Sequence, residues 1–206
     1  MILRDAKKRQ TEDLLYEEAL GLFRSRGFEA VSVDEIAAAA NVCRRTFFNY
    51  FPSKDHLLAR FHREITQAAV QHGRATSERG LPAIFVGLSA FGRLATAERE
   101  IGKALLRVMF ASDVLQDQDE QDVELLREWL MRELEYGATS GQLRCRDLNE
   151  VAGLTMGVLS SAVIQWVVSG GRATDDLTHV LVERFTLLVQ GIGSSGYRKR
   201  KLKWPG

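Results

Sequence analysis

Apolar residues recur every three to four positions along nearly the whole chain, and no segment alternates strictly between apolar and polar. That period belongs to helices rather than strands. The pattern predicts an all-α protein of about nine helices. The first is expected from about 4 to 26, where Leu15, Ala19, Leu22 and Phe23 fall on one face and Gly27 supplies a left-handed end. A second begins after Ser32, because Ser32 and Glu35 have the S-x-x-E spacing of a capping box. Its Ile36, Ala37 and Ala40 face inward, and the small residues let a neighbouring helix pack closely. Asn41-Val42 makes a turn, since asparagine tolerates positive φ. A third helix is expected over about 44–51, pinned by Phe47 and Phe51. Pro52-Ser53 ends it and restarts a fourth over about 54–72, which at ~1.5 Å per residue is close to ~30 Å long. Five more are expected near 82–96, 98–113, 119–139, 148–169 and 174–192, separated by Gly80-Leu81-Pro82, Gly137 to Gly141, and Gly170-Gly171.

Composition adds limits. At 206 residues, 45% hydrophobic and 27% charged, the chain has the make-up of a soluble globular protein able to bury a core. The net charge of +1 hides an uneven distribution. Residues 1–60 hold ten Lys and Arg against nine Asp and Glu, residues 61–196 thirteen against eighteen, and residues 197–206 five against none. An acidic body disfavours spreading on nucleic acid, so any DNA contact must be local. Cys43 and Cys145 have no paired spacing, which suits a reducing compartment and gives no metal signature. The start, MILRDAKKRQ, has no apolar core of a signal peptide, and a cytoplasmic location is expected. Val151 to Gly171 is uncharged and long enough to cross a bilayer, but Ser161, Gln165 and Ser169 make a polar stripe along it. A helix buried between helices or between subunits is the expectation, with no membrane partner.

The chemistry concentrates in Ser32 to Lys54, SVDEIAAAANVCRRTFFNYFPSK. Two short helices joined by a tight turn, with arginines opening the second, form the pattern of a helix-turn-helix that enters the DNA major groove. Arg44 and Arg45 suit guanine O6 and N7 or a phosphate, Thr46 a phosphate or a thymine methyl, and Asn49 an adenine or a phosphate. Tyr50 and Lys54 suit phosphates, and so do the hydroxyl and backbone N–H of Ser32.

The run GFEAVSVDEIAAAANVCRRTFFNYFPSKDHLL resembles the N-terminal domain of the tetracycline-repressor (TetR) family. The likeness covers about residues 11–60; beyond residue 75 it rests on length and helicity. It implies a helix-turn-helix domain over residues 1–53 and a helical ligand-binding and dimerisation domain over 54–193; residues 194–206, with turn residues and cations but little that could pack, are expected to form a basic flexible tail. It implies a homodimer on a double-stranded DNA operator, released by a small-molecule effector. Carried over by motif position, Ser32, Arg44, Arg45, Thr46, Phe48, Asn49, Tyr50 and Lys54 become the DNA-contacting set. Asn41 stands where the family commonly has glycine, and Cys43 where it commonly has serine. Cys43 is a poor N-cap, and beside Arg44 and Arg45 at a helix start its thiol is also a candidate oxidant sensor.

For dimerisation the helices near 148–169 and 174–192 are the candidates. Gly153 and Gly157 allow close backbone approach, and Val180, Leu181, Phe185, Leu187, Leu188 and Val189 supply apolar surface. Candidates for an apolar effector pocket are Phe85, Leu88, Phe91, Leu105, Met109, Phe110, Trp129 and Met156. The effector is expected to act by changing the angle of the fourth helix, and so the spacing of the two heads. The competing reading is a DNA-binding regulator without a small ligand, responding to a protein partner or to oxidation at Cys43. His56, His62, His72 and His179 have no metal-ligand spacing, and no nucleophile elbow, P-loop or dinucleotide fingerprint occurs. No catalytic residue, metal or cofactor is therefore expected.

Overall fold

The computed structural model describes residues 2–111, 114–145, 147–169 and 176–192. The elements among them are helices: α1 (Ile2–Arg26), α2 (Val33–Ala39), α3 (Arg44–Phe48), α4 (Asp55–Ala75), α5 (Leu81–Ala97), α6 (Arg99–Ala111), α7 (Val114–Thr139), α8 (Leu148–Val168) and α9 (Leu177–Ile192). The all-α expectation stands. α3 is shorter than its periodicity suggests, although helical bonds continue past its end, with Phe51 N–H donating to Phe47 O at 2.9 Å. The basic tail lies outside the described residues.

Packing divides the chain into two compact units, residues 1–64 with 98–120 and residues 65–97 with 121–206. The division falls inside α4 rather than at its start, so α4 contributes to both, and α6 counts with the N-terminal helices.

In the first unit, Leu15, Tyr16, Ala19, Leu20 and Phe23 of α1 form the apolar face the spacing predicted. Phe28, Val31, Ile36, Ala37, Phe47, Phe51, Leu57, Leu58 and Phe61 are buried in the same unit. Gly27 takes φ +81, which ends α1 and lets Phe28 fold back edge-on against Phe23, with ring centres 5.0 Å apart. Arg60 of α4 lies 4.1 Å over the Tyr16 ring and bonds Asp13 at 2.6 Å and Glu64 at 3.0 Å. The Tyr16 hydroxyl donates to Glu64 at 2.9 Å; burial, followed by the Glu64 charge, raises its pKa and keeps it neutral. Arg24 makes two 2.8 Å bonds to Glu98, tying α1 to the start of α6.

In the second unit, Val70, Leu81, Ile84, Phe85, Leu88, Leu126, Trp129, Leu130, Leu134, Val151, Phe185 and Val189 share one core. Trp129 sits where α4 and α5 have no side chains: a Cβ at Gly73 would lie 2.2 Å from its ring, and one at Gly87 2.4 Å. The turn between α4 and α5 is fastened to α7. Buried Glu133 accepts from Arg79 at 2.9 Å and from Gly80 N–H at 2.8 Å, and Gln142 accepts from Leu81 N–H at 2.9 Å. α8 begins on Asp147, whose carboxylate accepts from the N–H groups of Asn149 and Glu150.

Candidate nucleic-acid interface

The helix-turn-helix is assembled by three local devices. The Ser32 box is complete: Glu35 Oε2 accepts from the Ser32 N–H at 2.8 Å and from its hydroxyl at 2.7 Å, while Glu35 N–H donates to Ser32 Oγ at 3.3 Å. These bonds, with Arg26 at 2.7 Å, hold the Glu35 carboxyl down at about 2. The turn is a Schellman arrangement, with Val42 N–H donating to Ala37 O at 2.9 Å and Asn41 N–H to Ala38 O at 3.0 Å. Asn41 takes φ +53, the one non-glycine positive φ among the described residues, as its side chain permits. Phe47 then plugs α3 into the head, edge-on to Phe48 at 5.4 Å and beside Phe51 at 5.8 Å.

This geometry sorts the DNA-contacting candidates. Arg45, Phe48 and Asn49 are exposed on α3 and its C-terminal end, and neither Arg45 nor Asn49 has an ion pair or a side-chain hydrogen bond among the described residues. Arg44 is exposed but already engaged: Nη1 lies 2.7 Å from Asp34 Oδ2, and the guanidinium sits 5.3 Å over the Phe48 ring. Thr46 and Tyr50 are half-buried at the edge of the same surface.

Two of the candidates are engaged within the chain. The Ser32 hydroxyl and N–H both donate to Glu35 Oε2. Lys54 is turned inward: Nζ donates to Phe28 O at 2.7 Å and Val31 O at 2.9 Å and lies 4.1 Å over the Phe28 ring. An ammonium has three donors, and two here lock the start of α4 to the α1–α2 turn. Asp34, in the first turn of α2, carries no local signal of this contact with Arg44, since an acid there is a routine partner of the helix dipole.

Cys43 is the N-cap of α3 without a side-chain cap bond, and its Sγ lies 3.2 Å from Thr46 Oγ1. That hydroxyl lowers the thiol's pKa below its ordinary value.

The effector candidates fall in different places. Phe85, Leu88 and Trp129 are buried in the second unit's core, Met156 packs against it, and Phe91 is buried on α5. Leu105 is buried on α6, in the first unit. The side chains of Met109 and Phe110 lie outside the described residues. Of the expected dimer residues on α9, Leu181, Phe185 and Val189 fill the unit's own core instead, because they share one face with Leu177. Phe85 and Phe185 meet edge-on at 4.7 Å. Leu187 is 62% exposed. On α8, Leu154, Ile164 and Val168 are exposed, and a Cβ at Gly153 or Gly157 would meet nothing. The polar stripe of α8 is used within the chain: Arg184 of α9 bonds Ser161 Oγ at 2.7 Å and the Gln165 side chain.

The fold and this surface define an all-helical protein whose N-terminal unit carries a helix-turn-helix. Residues 15–61 match the family described as bacterial regulatory proteins, tetR family. The HTH-type transcriptional regulator TcmR of Streptomyces glaucescens is 47% identical over 55 residues, 27% of this chain and 24% of that protein. The chain thus aligns with about a quarter of that relative's length. The fold likeness extends further. FadR of Thermus thermophilus, a TetR-family transcriptional repressor solved with lauroyl-CoA, superposes with a TM-score of 0.68 at 24% identity, over 87% of this chain and 94% of that one. RolR, solved with resorcinol, gives 0.65 at 20% identity, over 94% and 93%. Residues 15–61 are thus similar to the tetR family of bacterial regulatory proteins, and the likeness in fold to solved members extends over most of the chain.

Proposed function

We propose that this protein is a dimeric transcription regulator that binds a two-fold symmetric DNA operator and leaves it when a small apolar or amphipathic effector binds. The observation that carries the DNA reading is the exposed face of α3. Arg45 and Asn49 stand there uncommitted, on a head whose angle is fixed by the capping box, the left-handed Asn41 and the Phe47 plug. A guanidinium and an amide on one face of a short helix suit guanine and adenine edges.

The dimer reading is supported by α8. It is long and apolar enough to cross a membrane by length and composition, yet it is flanked by α9 and leaves Gly153, Leu154, Gly157, Ile164 and Val168 exposed. With Leu187 of α9 these make an apolar face that a second copy would cover about a two-fold axis. The effector reading is supported by the ligands of the similar folds, an acyl-CoA and a phenol. It is also supported by the Trp129 indole N–H, buried without an acceptor among the described residues. A bound acceptor group would satisfy that donor.

Selecting duplexes from a random pool against the purified protein tests the whole. The expected product is a palindrome with half-sites ~34–36 Å apart, or a multiple of that spacing. Arg45→Ala should weaken its binding by ~5–150-fold, the worth of one bidentate base contact. Recovery of no preferred sequence would overturn the reading. Val168→Glu with Leu187→Glu should turn a sedimenting dimer into a monomer; an unchanged dimer would move the interface elsewhere.

One observation favours a second trigger. The Cys43 thiol is exposed and its pKa is lowered by Thr46. Release of the operator by peroxide, abolished in Cys43→Ser, would carry that trigger; indifference to peroxide would remove it.

A further inference from the structure

We infer that Asp34 is a specificity-determining residue of the DNA-reading head. Its carboxylate holds Arg44 and turns that arginine away from phosphates and towards the neutral acceptors of base edges. The inference rests on the reading of α3 as the helix that contacts DNA.

The geometry is specific. Asp34 lies in the first turn of α2 and Arg44 opens α3, ten residues on, so the 2.7 Å contact bridges the two helices across the turn. The guanidinium is fixed a second time from its face by the Phe48 ring at 5.3 Å. Arg44 donates to Asp34 Oδ2 through Nη1 alone. A guanidinium has five N–H donors in a planar fork, so donors remain for a second, bidentate acceptor. Both partners are well exposed, 59% and 64%, so an arriving ligand reaches the pair directly.

The two acceptors on DNA differ in charge. A phosphate oxygen approaching Arg44 brings a full negative charge beside the Asp34 carboxylate, and the two repel. Guanine O6 and N7 are neutral and meet far less repulsion. The carboxylate therefore subtracts more from backbone binding, which any sequence offers, than from base readout, which only the operator offers. Arg45, one residue on, has no such partner among the described residues and stays equally available to both.

An acid in a first helical turn also interacts with the helix dipole, and an exposed ion pair adds little to stability. The test must therefore read specificity rather than folding. In Asp34→Asn, affinity for a random-sequence duplex should rise ~10-fold while affinity for the selected palindrome changes less than ~3-fold. The salt dependence of random-duplex binding should steepen by ~0.9 for each additional phosphate that a freed Arg44 neutralises. In an Arg44→Ala background the same substitution should leave the operator-to-random ratio unchanged, since the arginine it steers is gone. Asp34→Glu, which can keep the pair, should stay near the parent ratio.

An unchanged ratio in Asp34→Asn would overturn the inference. So would an equal effect with and without Arg44, which would make Asp34 only a diffuse repulsive charge. Failure of the underlying reading looks different: in that case Arg45→Ala also leaves operator binding intact.

Discussion

Residues 32–54 and the core around Trp129 are held together in opposite ways. In the helix-turn-helix the defining bonds join near neighbours: Ser32 to Glu35, Asn41 to Ala38, Asp34 to Arg44. In the second unit they join distant residues. Gly73 and Gly87 seat Trp129, Glu133 reaches back 54 residues to Arg79, and Gln142 reaches back 61 to Leu81. Local devices each contribute a small, separable amount, whereas one large side chain in a close-fitting slot concentrates many contacts at one point. The candidate DNA-binding surface is therefore built from replaceable parts, and the second unit depends on a few positions.

That contrast breaks most severely at Trp129. Trp129→Ala should cost about 3–5 kcal/mol, as large aromatic truncations in cores do, read from denaturant unfolding of the second unit. If the loss stays below that of a surface change, the indole is not the centre of the core. Gly73→Ala comes next. Its Cβ would stand 2.2 Å from the indole, so the ring or α4 must shift, at about 1–3 kcal/mol. All three tryptophans, Trp129, Trp166 and Trp204, lie beyond residue 120, so fluorescence does not report on residues 1–64.

Ser32→Ala sharpens the other side. Losing an N-cap oxygen should cost about 1 kcal/mol, with the fluorescence transition of the second unit unmoved. The smallest effect is in pH. Glu35 has its carboxyl lowered from 4.5 to about 2, so the folded state favours the ionised form. Its contribution is fully present above 4.5 and is lost as pH falls through about 2. Comparing the parent with Glu35→Gln by circular dichroism along an acid titration should show a stability gap that closes over that window. A gap independent of pH would mean that the carboxylate's charge does not matter to the box.

The two regions were unequally legible for the same reason. Caps, turns and helix periods are written in adjacent residues, so the Ser32 box, the positive φ of Asn41, the Gly27 stop and the Phe47 plug could be read directly. Which way a long polar side chain turns could not. Lys54 has the composition of a phosphate ligand, but two carbonyls and the Phe28 ring, 23 to 26 residues upstream, draw it inward. Arg44 and Arg45 look equivalent in the sequence, and only the packing of α2 beside α3 brings Asp34 onto one of them. On α9 the apolar residues form one class by composition. Helical phase on α5 and α8 divides them, sending Leu181, Phe185 and Val189 inward and leaving Leu187 exposed.

The sequence by itself determined the helices, their order and the helix-turn-helix, because 3.6-residue periodicity and local capping act over a few residues. Tertiary structure alone decided which cations stay available, which glycines make room for Trp129 and which apolar face stays uncovered. Those outcomes depend on backbones brought together from distant parts of the chain, and no local pattern encodes that distance.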